Sequence, residues 1–291
     1  MKKIAFIKFG GLSSGGTEVN LQDVAIHLAE RYEVDFYYCD SAPYIGSDWI
    51  QTKDLTGEFT SVEVDEHGDV YLVNTEKQLI KFNSRLDTLY VFNEKSAEVE
   101  LVAPQNALKI LIFNKSLNTI QFLDKTLSPS AEELNLDEVN IPLVEAVGIS
   151  KDNNFWIFDQ YDQSLKKFDT KMNMISTSGN LTNITGLNWS PTKLKEIDNK
   201  VFVCDSSIGI MEFDFFGSYV QTINLKVKGN FYIDQSSIWF LRNDSLIIHD
   251  ILLQDESKFN LPEKNVVDFA FYKSQFYLLT QEKLYIYALS K

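Results

Sequence analysis

The sequence predicts a mostly-β chain: a six-bladed antiparallel β-propeller over residues 49–291, preceded by a short βαβ fragment over residues 1–48. Three observations carry this. A short apolar strand recurs six times, a second strand follows each recurrence after a polar turn, and the first 48 residues follow a different pattern built around a glycine-rich loop.

The recurring strands centre on Tyr71, Leu111, Trp156, Phe202, Trp239 and Tyr277, at spacings of 40, 45, 46, 37 and 38 positions. The partner strands cover residues 79–82, 119–122, 165–168, 210–213, 246–249 and 284–287. Between the two strands lie turn-forming residues such as Asn74, Asn114, Asp159, Asp205 and Asn243, which accommodate tight reversals. Flanking strands are expected before the pair at residues 59–65, 146–150, 231–234 and 269–271, and after it at 88–92, 132–136, 219–224 and 258–261. Four strands in about 40 residues, with no helix-length amphipathic segment, is the pattern of a propeller blade. A single such sheet cannot bury both of its faces, so the units must stack and the array must close. The second unit, drawn over residues 107–140, is irregular; redrawing it changes the count to five or seven blades.

The last unit shows three strands before Lys291, and an unassigned strand, residues 49–55, stands ahead of the first unit. Such a strand can supply the missing outer strand of the last blade and remove an exposed edge. The stretch 107–124 (ALKILIFNKSLNTIQFLD) resembles small six-bladed repeat proteins of Bacteroidota-type bacteria, a family without an established activity.

Residues 3–9 read as an apolar strand, 10–16 as a Gly/Ser loop, 17–31 as a helix and 33–39 as a second strand, the start of a parallel, Rossmann-like sheet. Glycines allow close backbone approach, and the free N–H groups of a helix start favour an anion. Residues 3–21 (KIAFIKFGGLSSGGTEVNL) and 32–40 (YEVDFYYCD) resemble the N-terminal start of GT-B glycosyltransferases of the family-4-like group. That resemblance implies a phosphate- or sugar-binding role for Gly11, Gly15, Gly16 and Thr17, in a loop that faces the donor and acceptor cleft. The remainder of such an enzyme does not follow. Glu58 and Glu66, spaced like that family's paired glutamates, fall in an expected strand and turn and read as coincidence. A fragment of this size does not build a transferase cleft. The change at Asp48–Trp49 therefore reads as a junction, by gene fusion, recombination or assembly error.

Hydrophobic residues make up 44% and charged residues 23%, a globular composition, and 21 Phe and 13 Tyr supply bulk for stacked sheets. The net charge of −14 argues against nucleic acid and anionic membrane surfaces as partners. Cys39 and Cys204 fall in different segments and suggest neither a disulfide framework nor a zinc site. No apolar run is long enough to span a membrane. The apolar stretch after Met1 is too short for a secretion signal, so the expected location is cytoplasmic; it is periplasmic or cell-envelope if the first 48 residues replace a signal peptide.

No catalytic set, metal site or cofactor site is expected. His27 lies on the helix of the fragment, His67 in the hairpin turn 65–69, and His249 at a repeat position that Phe82, Phe168 and Phe213 fill elsewhere. The turn 65–69 lacks the ligand ladder of a calcium loop, 159–162 reads as a polar hairpin, and Trp156 and Trp239 read as core. The functional expectation is a non-catalytic binding or scaffold propeller with an unknown protein or saccharide ligand at its loop face. The alternatives are a truncated or fused glycosyltransferase relative, or a propeller lyase or lactonase with a channel-bound metal.

Overall fold

The computed structural model describes residues 3–9, 33–39, 49–92, 99–104, 106–234 and 236–289. Strands β1 (Lys3–Phe9) and β2 (Glu33–Cys39) pair in parallel, from Lys3 opposite Glu33 to Phe9 opposite Cys39. The expected helix 17–31 and the loop carrying Gly11, Gly15, Gly16 and Thr17 lie outside the described residues.

The next described strand is β3 (Trp49–Thr56). Blade one is β4 (Phe59–Val64), β5 (Val70–Asn74), β6 (Leu79–Phe82) and β7 (Thr88–Phe92). Blade two is β8 (Leu101–Ala103), β9 (Ile110–Asn114), β10 (Thr119–Leu123) and β11 (Leu134–Asn135). Blade three is β12 (Val144–Ile149), β13 (Phe155–Asp159), β14 (Ser164–Phe168) and β15 (Met174–Thr177). Blade four is β16 (Lys193–Ile197), β17 (Lys200–Asp205), β18 (Gly209–Asp214) and β19 (Tyr219–Ile223). Blade five is β20 (Phe231–Ile233), β21 (Ser237–Leu241), β22 (Ser245–Asp250) and β23 (Glu256–Asn260). Blade six is β24 (Asp268–Tyr272), β25 (Gln275–Leu279), β26 (Lys283–Leu289) and, returning from the start of the array, β3. Every pairing within a blade is antiparallel, and β3 lies along β26 from Trp49 opposite Leu289 to Thr56 opposite Lys283.

The fold is thus a six-bladed antiparallel propeller. Its core consists of six apolar seams, one between each pair of neighbouring blades. The seam between blades six and one joins Tyr277, Leu279 and Leu284 to Val62, Val70 and Leu72, so the ring is closed by packing as well as by strand pairing. Blades three and four approach closely at Gly148. A Cβ there would stand 2.9 Å from the carbonyl oxygen of Leu194, which makes glycine the residue this seam requires.

The central strand pairs sit where the repeat spacing puts them, and Trp156 and Trp239 are fully buried. The second unit differs from its sequence outline. It begins at β8, ahead of Ala107, and its outer strand shrinks to β11 before a turn of 3-10 helix, Leu136–Val139. Asn118, whose side-chain amide donates to Asp137 Oδ1 and to the Ile141 carbonyl, pins this turn against the β9–β10 hairpin and cuts the strand short.

Because strands alternate in direction, the hairpins joining second to third strands share one end of the ring with the blade-to-blade connections. The hairpins joining first to second strands lie at the other end. Among the described residues, no helix is long and apolar enough to cross a membrane.

Candidate functional site

The first strand of each blade faces the propeller axis, and its polar residues meet those of other blades there. Glu63 on β4 and Lys195 on β16 belong to blades one and four, which stand opposite each other in a ring of six. Their side chains pair at 3.5 Å, each only 14% exposed, so an ion pair spans the axis. The side-chain amide of Asn230, just before β20, donates to Glu63 Oε1 at 3.2 Å and to the Phe269 carbonyl at 3.0 Å. Blades one, four, five and six are therefore tied together by one polar cluster inside the ring.

Asp268, the first residue of β24, is buried beside this cluster. Its Oδ2 accepts the Val62 N–H of blade one at 3.0 Å and its Oδ1 the N–H of Phe269 at 2.9 Å. No cation pairs with it among the described residues. Burial pushes its carboxyl up to about 6, with Glu63 adding to the rise and Lys193 and the two N–H donors opposing it.

Asn230 and Asp268 also form the floor of a cleft of about 140 Å3 between blades five and six. Its other polar lining comes from Lys228, Asn243 and Asp244, with apolar walls that include Val266. These residues come from two blade-to-blade connections and the β21–β22 hairpin, so the cleft opens on the end of the ring that carries those loops. Asn243 and Asp244 both adopt left-handed backbone conformations, with φ of 49° and 53°, which short polar side chains tolerate. Asp244 Oδ1 accepts the Asn265 N–H at 3.0 Å and so fixes the connection that forms the cleft's wall. The lining carries no hydroxyl, thiol or imidazole group.

The residues singled out in the sequence lie elsewhere. His67 is in the turn at the opposite end, where Asp65 Oδ1 accepts the N–H groups of His67 and Asp69 and Gly68 takes φ of 88°, an ordinary hairpin closure. Its Asp65 is further engaged by the Tyr71 hydroxyl at 3.0 Å, and Lys81 pairs with Asp69 at 3.1 Å. His249 is only partly buried, with Nδ1 3.8 Å from Glu256, so it is not the full core replacement for phenylalanine that its repeat position suggests. Asp159 receives the N–H groups of Tyr161 and Asp162 and pairs with Lys166 at 2.7 Å, as a polar turn does. Among the described residues, no three His, Cys, Asp or Glu side chains gather as metal ligands would.

Sequence reasoning missed the axial cluster and the cleft. Glu63, Lys195, Asn230 and Asp268 share no local motif. Glu63 and Lys195 each lie on a first strand that also carries other polar or charged residues, so nothing local set them apart.

No family model matches the chain, and no curated protein matches it. Solved structures do match. A streptogramin B lyase structure aligns with a TM-score of 0.55 at 12% identity, covering 84% of this chain and 87% of that one. Virginiamycin B lyase from Staphylococcus aureus aligns with a TM-score of 0.53 at 12% identity, covering 79% and 82%. The Pan2 WD40 domain of Neurospora crassa aligns with a TM-score of 0.56 at 8% identity, covering 87% and 97%. At these identities the likeness is one of fold.

Proposed function

We propose that this chain is a non-catalytic binding propeller whose ligand seats in the cleft between blades five and six, beside the axial polar cluster. The observation that carries the reading is the lining itself. It combines carboxyls, a lysine and two amides, which recognise polar groups, and carries no hydroxyl, thiol or imidazole. Function on a propeller is placed by loops at one end of a rigid ring, and the cleft is built from such loops.

The lyases that share the fold do so at 12% identity, which carries none of their chemistry to these residues. The resemblances of residues 1–48 to glycosyltransferases and of residues 49–291 to Bacteroidota-type proteins rest on the sequence alone and do not enter this reading. The test is a turnover panel on the purified chain with ester, phosphate, glycoside and cyclic-depsipeptide substrates. The expected result is no turnover above background. Turnover with any of them that a single cleft substitution abolishes would overturn the binding reading.

A further inference from the structure

We propose that the cleft between blades five and six binds a small zwitterion, a free α-amino acid. This deepens the binding reading above and rests on the cleft being the ligand seat.

Size comes first. Clefts that take drug-sized ligands measure roughly 300–1,000 Å3. At about 140 Å3 this one accommodates only a small molecule.

Charge comes next. Asp268, buried and lining the cleft, accepts hydrogen bonds only from backbone N–H groups and has no cationic partner among the described residues. Lys228 lines the same cleft, is exposed, and forms no ion pair with a described residue. Asp244 uses one carboxylate oxygen on the Asn265 N–H, which leaves the other open. The cleft therefore offers both signs of charge, and neither Asp268 nor Lys228 is in a direct ion pair with a described residue, Lys193 acting on Asp268 only from beyond ion-pair distance.

A neutral ligand would desolvate the exposed Lys228 and Asp244 without pairing either, which is costly. A simple anion would pair with Lys228 but stand against Asp268 and Asp244, and a simple cation would meet the converse conflict. A molecule with an ammonium group and a carboxylate a few bonds apart pairs with both. Its ammonium faces the carboxylates of Asp268 and Asp244, and its carboxylate faces Lys228. Asn243 and Asn230 supply amide hydrogen bonds, and the apolar wall at Val266 takes the side chain.

The experiment is isothermal titration calorimetry of the full chain at neutral pH, with each of the common amino acids offered singly at up to about 10 mM, well above a millimolar Kd. The best binder is then compared with its N-acetyl and its carboxamide forms, each of which removes one charge, and with methyl α-glucoside as a neutral polyol. We expect at least one amino acid to bind, and both blocked forms to bind about tenfold more weakly or worse, the loss of about 1.4 kcal/mol per unpaired charge. Lys228→Met should weaken the amino acid similarly and the carboxamide form no further. Lys228 is exposed, so that variant should keep its fold, and its β-sheet circular dichroism checks this. Equal binding of the blocked forms would overturn the proposal. Binding of the glucoside alone, lost in Asn243→Ala, would overturn the zwitterion while leaving the cleft as the ligand seat. No binding by any probe would overturn both.

Discussion

Removing residues 1–56 is expected to abolish a normal cooperative melt, whereas removing residues 1–48 leaves it in place. The difference is β3. Along its length it completes the ladder with β26 in blade six. The Thr52 hydroxyl donates to the Ile286 carbonyl at 3.0 Å, and the Asp54 carboxylate pairs with Lys283 at 3.1 Å. The Trp49 ring packs edge-on against Phe276 at 5.2 Å and Tyr287 at 5.9 Å, and its indole N–H donates to the Asn260 carbonyl of blade five. Loss of the tryptophan alone is worth about 3–5 kcal/mol where such a ring is fully buried, and somewhat less here. Each lost ladder hydrogen bond adds about 1 kcal/mol. Against a typical total of roughly 5–15 kcal/mol, the sum is most of the stability. The bared edge of β26 also invites intermolecular pairing, so the shortened chain should aggregate. Thermal melts followed by circular dichroism decide the matter. A midpoint for the 57–291 chain within about 2 °C of the 49–291 chain would contradict closure by β3.

The second large effect concerns Asp268. Its carboxyl is pushed up to about 6 in the folded protein from an ordinary value of 3.8. The folded state thus holds a proton between about pH 4 and 6 that the unfolded chain has released. Stability from this group is fully present below about pH 4 and is lost as pH rises through about 6. Over that window the loss is about 3 kcal/mol, at about 1.4 kcal/mol per unit. Asp124, Asp152, Asp169 and Asp205, held below their ordinary range, act in the opposite sense, with stability lost as the pH falls. They are common to the wild type and to Asp268→Asn, so the difference between the two isolates Asp268. Urea unfolding at pH 4 and pH 7 should show the Asn variant gaining about 3 kcal/mol relative to wild type at the higher pH. Parallel pH profiles would show that Asp268 titrates normally.

The fold was legible in the sequence because the second and third strands of each blade are packed on both faces. Phe155, Trp156 and Ile157 are all fully buried, and such runs stand out against polar turns. The strands that escaped notice are those with one wet face or very short spans. Met174 and Ile175 in β15 are more than half exposed. In β16 only Leu194 is a buried hydrophobic, while its buried Glu196 is held by the Trp156 indole N–H at 2.7 Å and the Ser150 hydroxyl at 2.5 Å, partners some forty residues away. β8 has three residues, too few to show a period, whereas β11 falls inside the expected strand 132–136 and is only shorter than that outline.

The candidate site was not legible for a related reason. Asn230 and Glu63 lie 167 residues apart and meet only because six blades close into a ring. His67, read from the sequence as part of a hairpin turn, serves that turn in the structure. Gly11, Gly15, Gly16 and Thr17, expected to bind phosphate or sugar only through a resemblance, lie outside the described residues.

Amide-resolved NMR of the full chain during addition of a mixture of small polar fragments is the most direct test of a ligand seat in the cleft between blades five and six. The expected shifts cluster on residues 228–230, 241–244 and 266–269, which form the cleft between blades five and six. Shifts confined to the opposite end of the ring, around residues 65–69 and 150–154, would contradict it.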